Sequence, residues 1–147
     1  MDIVFKNEQP TKAVPGGSVF NGLISLGRAG IETTFISEVG NDRVGNTILN
    51  FMKENGVNGH HVCVYPDSKS PVSLAFLNDK NDAEYIFYKD YPKLRLDVEL
   101  PEINSDDVVI FGSFYAISPL IRNKVKELLD KARQAGAIIY YDVNFRN

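Results

Sequence analysis

Helix signals and strand signals alternate along this chain at short intervals, and that alternation narrows the possible folds more than any other feature. Residues 18–29 carry a helix, residues 33–39 are strongly β-prone and read as a buried strand, and residues 44–55 carry a second helix. Val44, Ile48, Leu49 and Met52 fall on one face of that second helix, the period of an amphipathic segment packed on a core. The same order returns later in the chain. Residues 107–111 read as a strand, Ser118-Pro119 opens a helix, and residues 137–141 form a near-continuous apolar strand. Ile121, Val125, Leu128, Leu129 and Ala132 line one face of the helix between those strands. Strands and helices in quick alternation define an α/β sheet. An apolar run such as 137–141 is expected where both faces of a parallel strand are covered.

The helix ends carry their own chemistry. Ser18 and Asp42 suit N-caps, because their side-chain oxygens can accept from the unpaired N–H groups of a first turn. Ser118-Pro119 offers a cap followed by a first-turn proline. Gly30, Gly56 and Gly136 stand where helices stop. The middle of the chain differs. Residues 73–77 and 84–88 are short strands around the polar turn Asn78-Asp79-Lys80-Asn81-Asp82, which predicts a β-hairpin. Residues 92–102 read as loop. The apolar, β-prone start Asp2-Ile3-Val4-Phe5 reads as the remainder of a strand whose beginning lies upstream.

Charge and composition exclude several classes of function. Acidic and basic residues are interspersed at a net charge of −3, with no basic run to follow a phosphate backbone, so nucleic acid is not an expected partner. No apolar run reaches the roughly 20 residues of a membrane span. Nothing at the start resembles a secretory leader, so the cytoplasm is the expected compartment. A single cysteine, Cys63, permits no internal disulfide. His60-His61 lacks companion ligands at metal spacing and reads as a surface turn. No P-loop and no dinucleotide fingerprint occurs.

Three loops sit at helix starts or strand ends, where open α/β sheets bind ligands. In Gly16-Gly17-Ser18-Val19-Phe20-Asn21, two glycines let the backbone come close to a ligand, and the helix start offers free N–H groups. Asn21 supplies a donor and an acceptor, which suits a hydroxyl-bearing ligand; the alternative is a tight turn with Asn21 on the first helical turn. Gly40-Asn41-Asp42-Arg43-Val44-Gly45 reads as a turn with an N-cap. In Asp142-Val143-Asn144-Phe145-Arg146, polar and apolar residues alternate just past a buried strand. That alternation puts Asp142, Asn144 and Arg146 on one side of an extended segment, where Arg146 can pair with a carboxylate or phosphate. The alternative there is a solvated terminus. The aromatics Tyr85, Phe87, Tyr88 and Tyr91 fit a hairpin face, with one or two free to close over a ligand.

Taken together, these segments resemble the PfkB, or ribokinase-like, carbohydrate kinases. The resemblance rests on Gly16-Gly17 with Asn21 four residues on, on the later Gly40-x-Asp42-x-x-Gly45, and on the D-x-N-x-R segment from Asp142 to Arg146. That last segment is similar to the fructokinase and 2-keto-3-deoxygluconate kinase branch. Asp2 resembles the aspartate at the end of the family's first strand, whose carboxylate holds sugar hydroxyls. The resemblance implies a three-layer α/β core with a mostly parallel sheet plus a small β lid, incomplete at both ends. Residues 1–147 would be the N-terminal part of the kinase domain, with lid segments at about 2–14 and 72–90 and core at about 16–66 and 105–147.

The implied activity is transfer of the ATP γ-phosphoryl group, with Mg²⁺, to a hydroxyl of a ketohexose such as fructose or of a keto-deoxy sugar acid. The implied substrate-binding set is Asp2, Gly16, Gly17, Asn21, Tyr88, Lys89, Asn144 and Arg146. The family's G-A-G-D catalytic segment, its N-x-x-E motif and its adenine site are absent from this sequence. No catalytic base, metal ligand or bound cofactor is therefore expected in this chain alone, and the chain by itself is expected to be inactive. A homodimer through the lid or an exposed sheet is implied as well. The alternative function is a non-catalytic sugar-binding or interaction module derived from such a kinase. Phe20 stands where the family has a small residue, which implies a reshaped sugar pocket.

Overall fold

The computed structural model describes residues 1–144. In chain order, β1 (Asp2–Lys6) and β2 (Gln9–Val14) are followed by α1 (Ser18–Arg28), β3 (Thr33–Thr34), β4 (Ser37–Gly40) and α2 (Arg43–Glu54). Then come β5 (Val57–Asn58), β6 (Val62–Tyr65), β7 (Lys69–Leu77) and β8 (Ala83–Asp90). The last elements are β9 (Val108–Gly112), α3 (Ser113–Ala116), α4 (Arg122–Ala135) and β10 (Ile138–Asp142). Among the described residues the strands form a four-stranded sheet in the order β2-β1-β7-β8 and three two-stranded ladders, β3-β5, β4-β6 and β9-β10. All three ladders are parallel, as the helix–strand alternation requires. In the four-stranded sheet the two hairpins are antiparallel and β1 runs parallel to β7.

The core gathers Phe20 and Ile24 of α1, Val39 of β4, Met52 of α2, Val57 of β5 and Val62 of β6. Phe20 packs edge-on against Phe35 and stacks with Phe51. The ring lies in the core because its position one helical turn before Ile24 faces the ladders.

Other expectations also change. The single strand expected at 33–39 is two, because the chain changes partner: the Phe35 N–H donates to Asn58 and the Ser37 N–H to His61. Gly17, not Ser18, is the N-cap of α1 and makes no side-chain cap bond. The helix expected from Ser118 begins at Arg122. Ser118 instead closes a tight turn by accepting from the Ile121 N–H, and the buried Ile121 starts the helical ladder by accepting from Val125. Gly136 ends α4 in the left-handed region at φ 79°, as its position predicts. β10 was expected to be covered on both faces. It is flanked by β9 along one edge, and Ile138 and Tyr140 remain about 60% exposed.

Asp42 joins the ladders to the four-stranded sheet. It caps α2 by accepting from the Gly45 N–H at 2.8 Å. The same carboxylate accepts from the Ser70 N–H and the Ser70 hydroxyl, both at 2.8 Å, at the base of β7. Burial opposes its ionisation, yet these donors and the Lys69 charge hold its pKa below the ordinary 3.8. Asp42→Ala therefore loses a cap and leaves two N–H donors unpaired, and urea titration at neutral pH should show a loss of about 2–4 kcal/mol. A depressed carboxylate contributes stability above its unfolded pKa and loses it as pH falls through the folded value. The difference between wild type and variant should accordingly shrink as pH falls below 3.8.

Candidate functional site

The site grows from the first residue of β1. Asp2 pairs in register with Ser73 of β7, and Ser73 pairs with Phe87 of β8, so the three side chains share one face of the four-stranded sheet. Ser73 is buried, and its hydroxyl donates to Asp2 Oδ1. The other carboxylate oxygen, Oδ2, lies against Gly16, where a Cβ would collide with it. Asp2 and the first glycine of the pair thus meet directly, and a side chain at that position would oblige the carboxylate to turn aside.

Gly17 follows at φ 144° and leads into α1. Asn21 sits one turn into that helix, its N–H donating to the Gly17 carbonyl at 2.9 Å, and it is exposed. Lys89 lies two residues beyond Phe87 on β8 and therefore on the Asp2 face, with its ammonium 4.9 Å from the Phe87 ring. Tyr88 pairs with Val72, so its ring projects from the opposite face, away from Asp2.

Asn144 lies elsewhere, past the carboxyl end of β10. Its φ is 40°, and its N–H donates to the Asp142 side chain at 3.1 Å, a local turn that bends the segment expected to run extended. Arg146 lies outside the described residues. Two neighbours were missed from sequence: Gly112 and Ser113, at the carboxyl end of β9. Gly112 pairs with Asp142, and a Cβ on it would strike the Asp142 backbone. Ser113 adopts φ 57°, unusual for a residue with a side chain. A glycine directly after the apolar run 108–111 was the available signal. The described residues contain no group of three or more His, Cys, Asp or Glu placed to hold a metal. His61 donates through Nδ1 to the Glu99 carbonyl at 2.6 Å. None of the helices among them is long and apolar enough to cross a membrane.

An α/β core of parallel strand pairs with a small β lid is the ribokinase-like architecture, and solved structures bear this out. The fructokinase from Vibrio cholerae O395 matches with a TM-score of 0.81 at 18% identity, covering 99% of this chain and 50% of that one. Aminoimidazole riboside kinase from Salmonella enterica, in complex with aminoimidazole riboside and an ATP analog, matches at 0.79 and 23% identity, covering 99% of this chain and 47% of that one. The pfkB family carbohydrate kinase profile matches residues 4–147, and the chain belongs to that family.

Among curated proteins, a probable fructokinase-5 from Arabidopsis thaliana is 31% identical over 139 residues, which is 90% of this chain and 42% of the relative. A 5-dehydro-2-deoxygluconokinase from Geobacillus kaustophilus (strain HTA426) is 33% identical, covering 89% of this chain and 41% of the relative. The chain thus spans less than half the length of these relatives.

Among the described residues the Ser73 hydroxyl is the one side-chain donor to Asp2, and Ser73 is buried. Ser73→Ala should cost about 1.5 kcal/mol in chemical denaturation, the low end for a bond to a charged group because Asp2 is half-buried. Gly16→Ala should leave stability nearly intact, since a flexible carboxylate can swing aside. It should, however, shift the Asp2 side-chain carboxyl resonance, readable by NMR.

Proposed function

We propose that this chain is the sugar-binding part of an ATP-dependent carbohydrate kinase that phosphorylates a hydroxyl of a ketohexose such as fructose or of a keto-deoxy sugar acid. The observation that carries the reading is the Asp2 carboxylate, held by Ser73 and set directly against Gly16 at the mouth of α1. A fixed, half-exposed carboxylate beside a glycine turn can accept from sugar hydroxyls, and the Asn21 amide on the next turn can both donate and accept. Gly17 lets the backbone come close. Lys89, on the same sheet face as Asp2, adds a positive charge suited to an acidic sugar.

Tyr88 is a weaker member of this set, since its register turns it to the other face of the lid. Asn144 and Arg146 belong to the reading through the resemblance of the D-x-N-x-R segment. The four-stranded sheet acts as the lid over the sugar. The same reading places the protein in the cytoplasm and pairs two copies through the lid or the exposed apolar face of β10.

ATP and Mg²⁺ belong to the complete family enzymes. No step of phosphoryl transfer is assigned to the described residues. What this chain's residues do is bind and orient the sugar and exclude water beneath the lid.

Isothermal calorimetry of the chain with fructose and with 5-dehydro-2-deoxygluconate tests the reading. Binding of one of them should weaken by about 10-fold or more in Asp2→Ala, as expected for a lost charge-assisted hydrogen bond. Binding that is indifferent to Asp2→Ala would sink it. A coupled ADP-release assay should show no sugar-dependent turnover by the 147-residue chain, and sedimentation should report twice the mass of 16.4 kDa. Sugar binding without phosphorylation in the longest natural polypeptide would instead favour a non-catalytic module.

A further inference from the structure

A buried charged cluster lies between the lid and the carboxyl end of β9, outside the residues assigned to the sugar. Arg95, in the loop after β8, has 3% of its side chain exposed, and Glu38 of β4 has 4%. Arg95 closes on one oxygen of the Glu38 carboxylate, Oε1, with both Nε, at 2.6 Å, and Nη2, while the Leu96 N–H donates to the second oxygen, Oε2, at 2.7 Å. The guanidinium sits 3.5 Å from the centroid of Tyr91, the residue that follows β8. The Tyr115 ring lies 5.9 Å from the same guanidinium. The Tyr115 hydroxyl is buried and has no hydrogen-bond partner among the described residues. Burial and the Glu38 charge together push that phenol above its ordinary pKa, so it stays neutral.

Tyr115 is two residues from Ser113, whose left-handed φ of 57° is unfavourable for a residue with a Cβ. Such a conformation persists only where the surroundings over-determine it. Two constraints flank it here. On one side Gly112 is pressed against the Asp142 backbone. On the other, Tyr115 is packed against a clamp that also grips the end of the lid hairpin through Tyr91. We infer that Glu38, Arg95 and Tyr115 are positioning residues: they hold Ser113 left-handed, fix the Gly112-Ser113 turn beside Asp142, and tie that turn to the lid. The lid end and the strand-end turn therefore move together. The functional meaning of that coupling rests on the proposed sugar site, but the coupling itself is a property of the chain without sugar.

The test is NMR on the labelled 147-residue chain with no ligand, so that it stands or falls apart from sugar binding. Arg95→Lys keeps the charge but loses the paired Nε and Nη2 contacts to Glu38 Oε1 and the planar face beside Tyr91. The three-bond HN–Hα coupling and the 13Cα shift of Ser113 should leave their left-handed values. Amide exchange at Tyr88, Lys89 and Asp90 should accelerate by about fivefold or more, while residues 48–52 of α2 keep their protection. If Arg95→Lys does not fold, the pair Glu38→Gln with Arg95→Met removes both charges without stranding one, and the same readouts apply. The inference is overturned if Ser113 keeps its coupling constant, if only one of the two segments responds, if α2 loosens with them, or if neither variant folds.

Discussion

The arrangement depends first on one carboxylate. Asp42 stands where a helix begins, a ladder strand ends and a lid strand starts, and its two oxygens tie the helix to the lid strand. Three donors around a half-buried anion favour its charged form over the cost of burial, and the resulting bonds carry direction as well as energy. Ser70 completes the joint: its hydroxyl also accepts from the Gly40 N–H at 3.0 Å. β7 therefore leaves the core at a set angle. Because β1 adds to β7 in parallel, the position of Asp2 is inherited from this joint. The carboxylate beside the glycine turn is placed by a different carboxylate 40 residues later in the chain.

Much of this was legible in the sequence wherever the controlling interaction is local. The cap at Asp42, the stop at Gly136 and the hairpin around residues 78–82 each depend on residues within a few positions, and each appears as expected. The α/β class followed from alternation, and the family from three short motifs. The meeting of Asp2 with Gly16 was accessible only through resemblance, since no local rule joins a strand start to a glycine turn across an intervening hairpin.

What escaped was governed by partners far along the chain. Glu38 and Arg95 are 57 residues apart, and nothing in either neighbourhood marks them as a pair. Phe20 stands out in the sequence only as larger than the family's residue at that position, and its packing with Phe35 and Phe51 depends on residues 15 and 31 positions away. Ser118-Pro119 carries a sound helix-start signal, but Ile121 is drawn into the core, and a tight turn delays the helix by several residues. The apolar run of β10 was read correctly as a strand, while hydrophobicity reports what a strand can bury and not what lies against it within residues 1–144.

The parallel pairing of β1 with β7 also shapes how the chain is made. Ser73 lies 71 residues from Asp2, so during synthesis the pairing of β1 with β7 waits until the middle of the chain emerges, after its hairpin partner β2. An isolated two-stranded hairpin is marginal in water, and β2 is exposed along its whole length. The helices and the β3-β5 and β4-β6 ladders use closer partners and can consolidate first, leaving the N-terminal strand to add late. On that order of assembly, β1 acquires its final structure after elements that follow it in the chain.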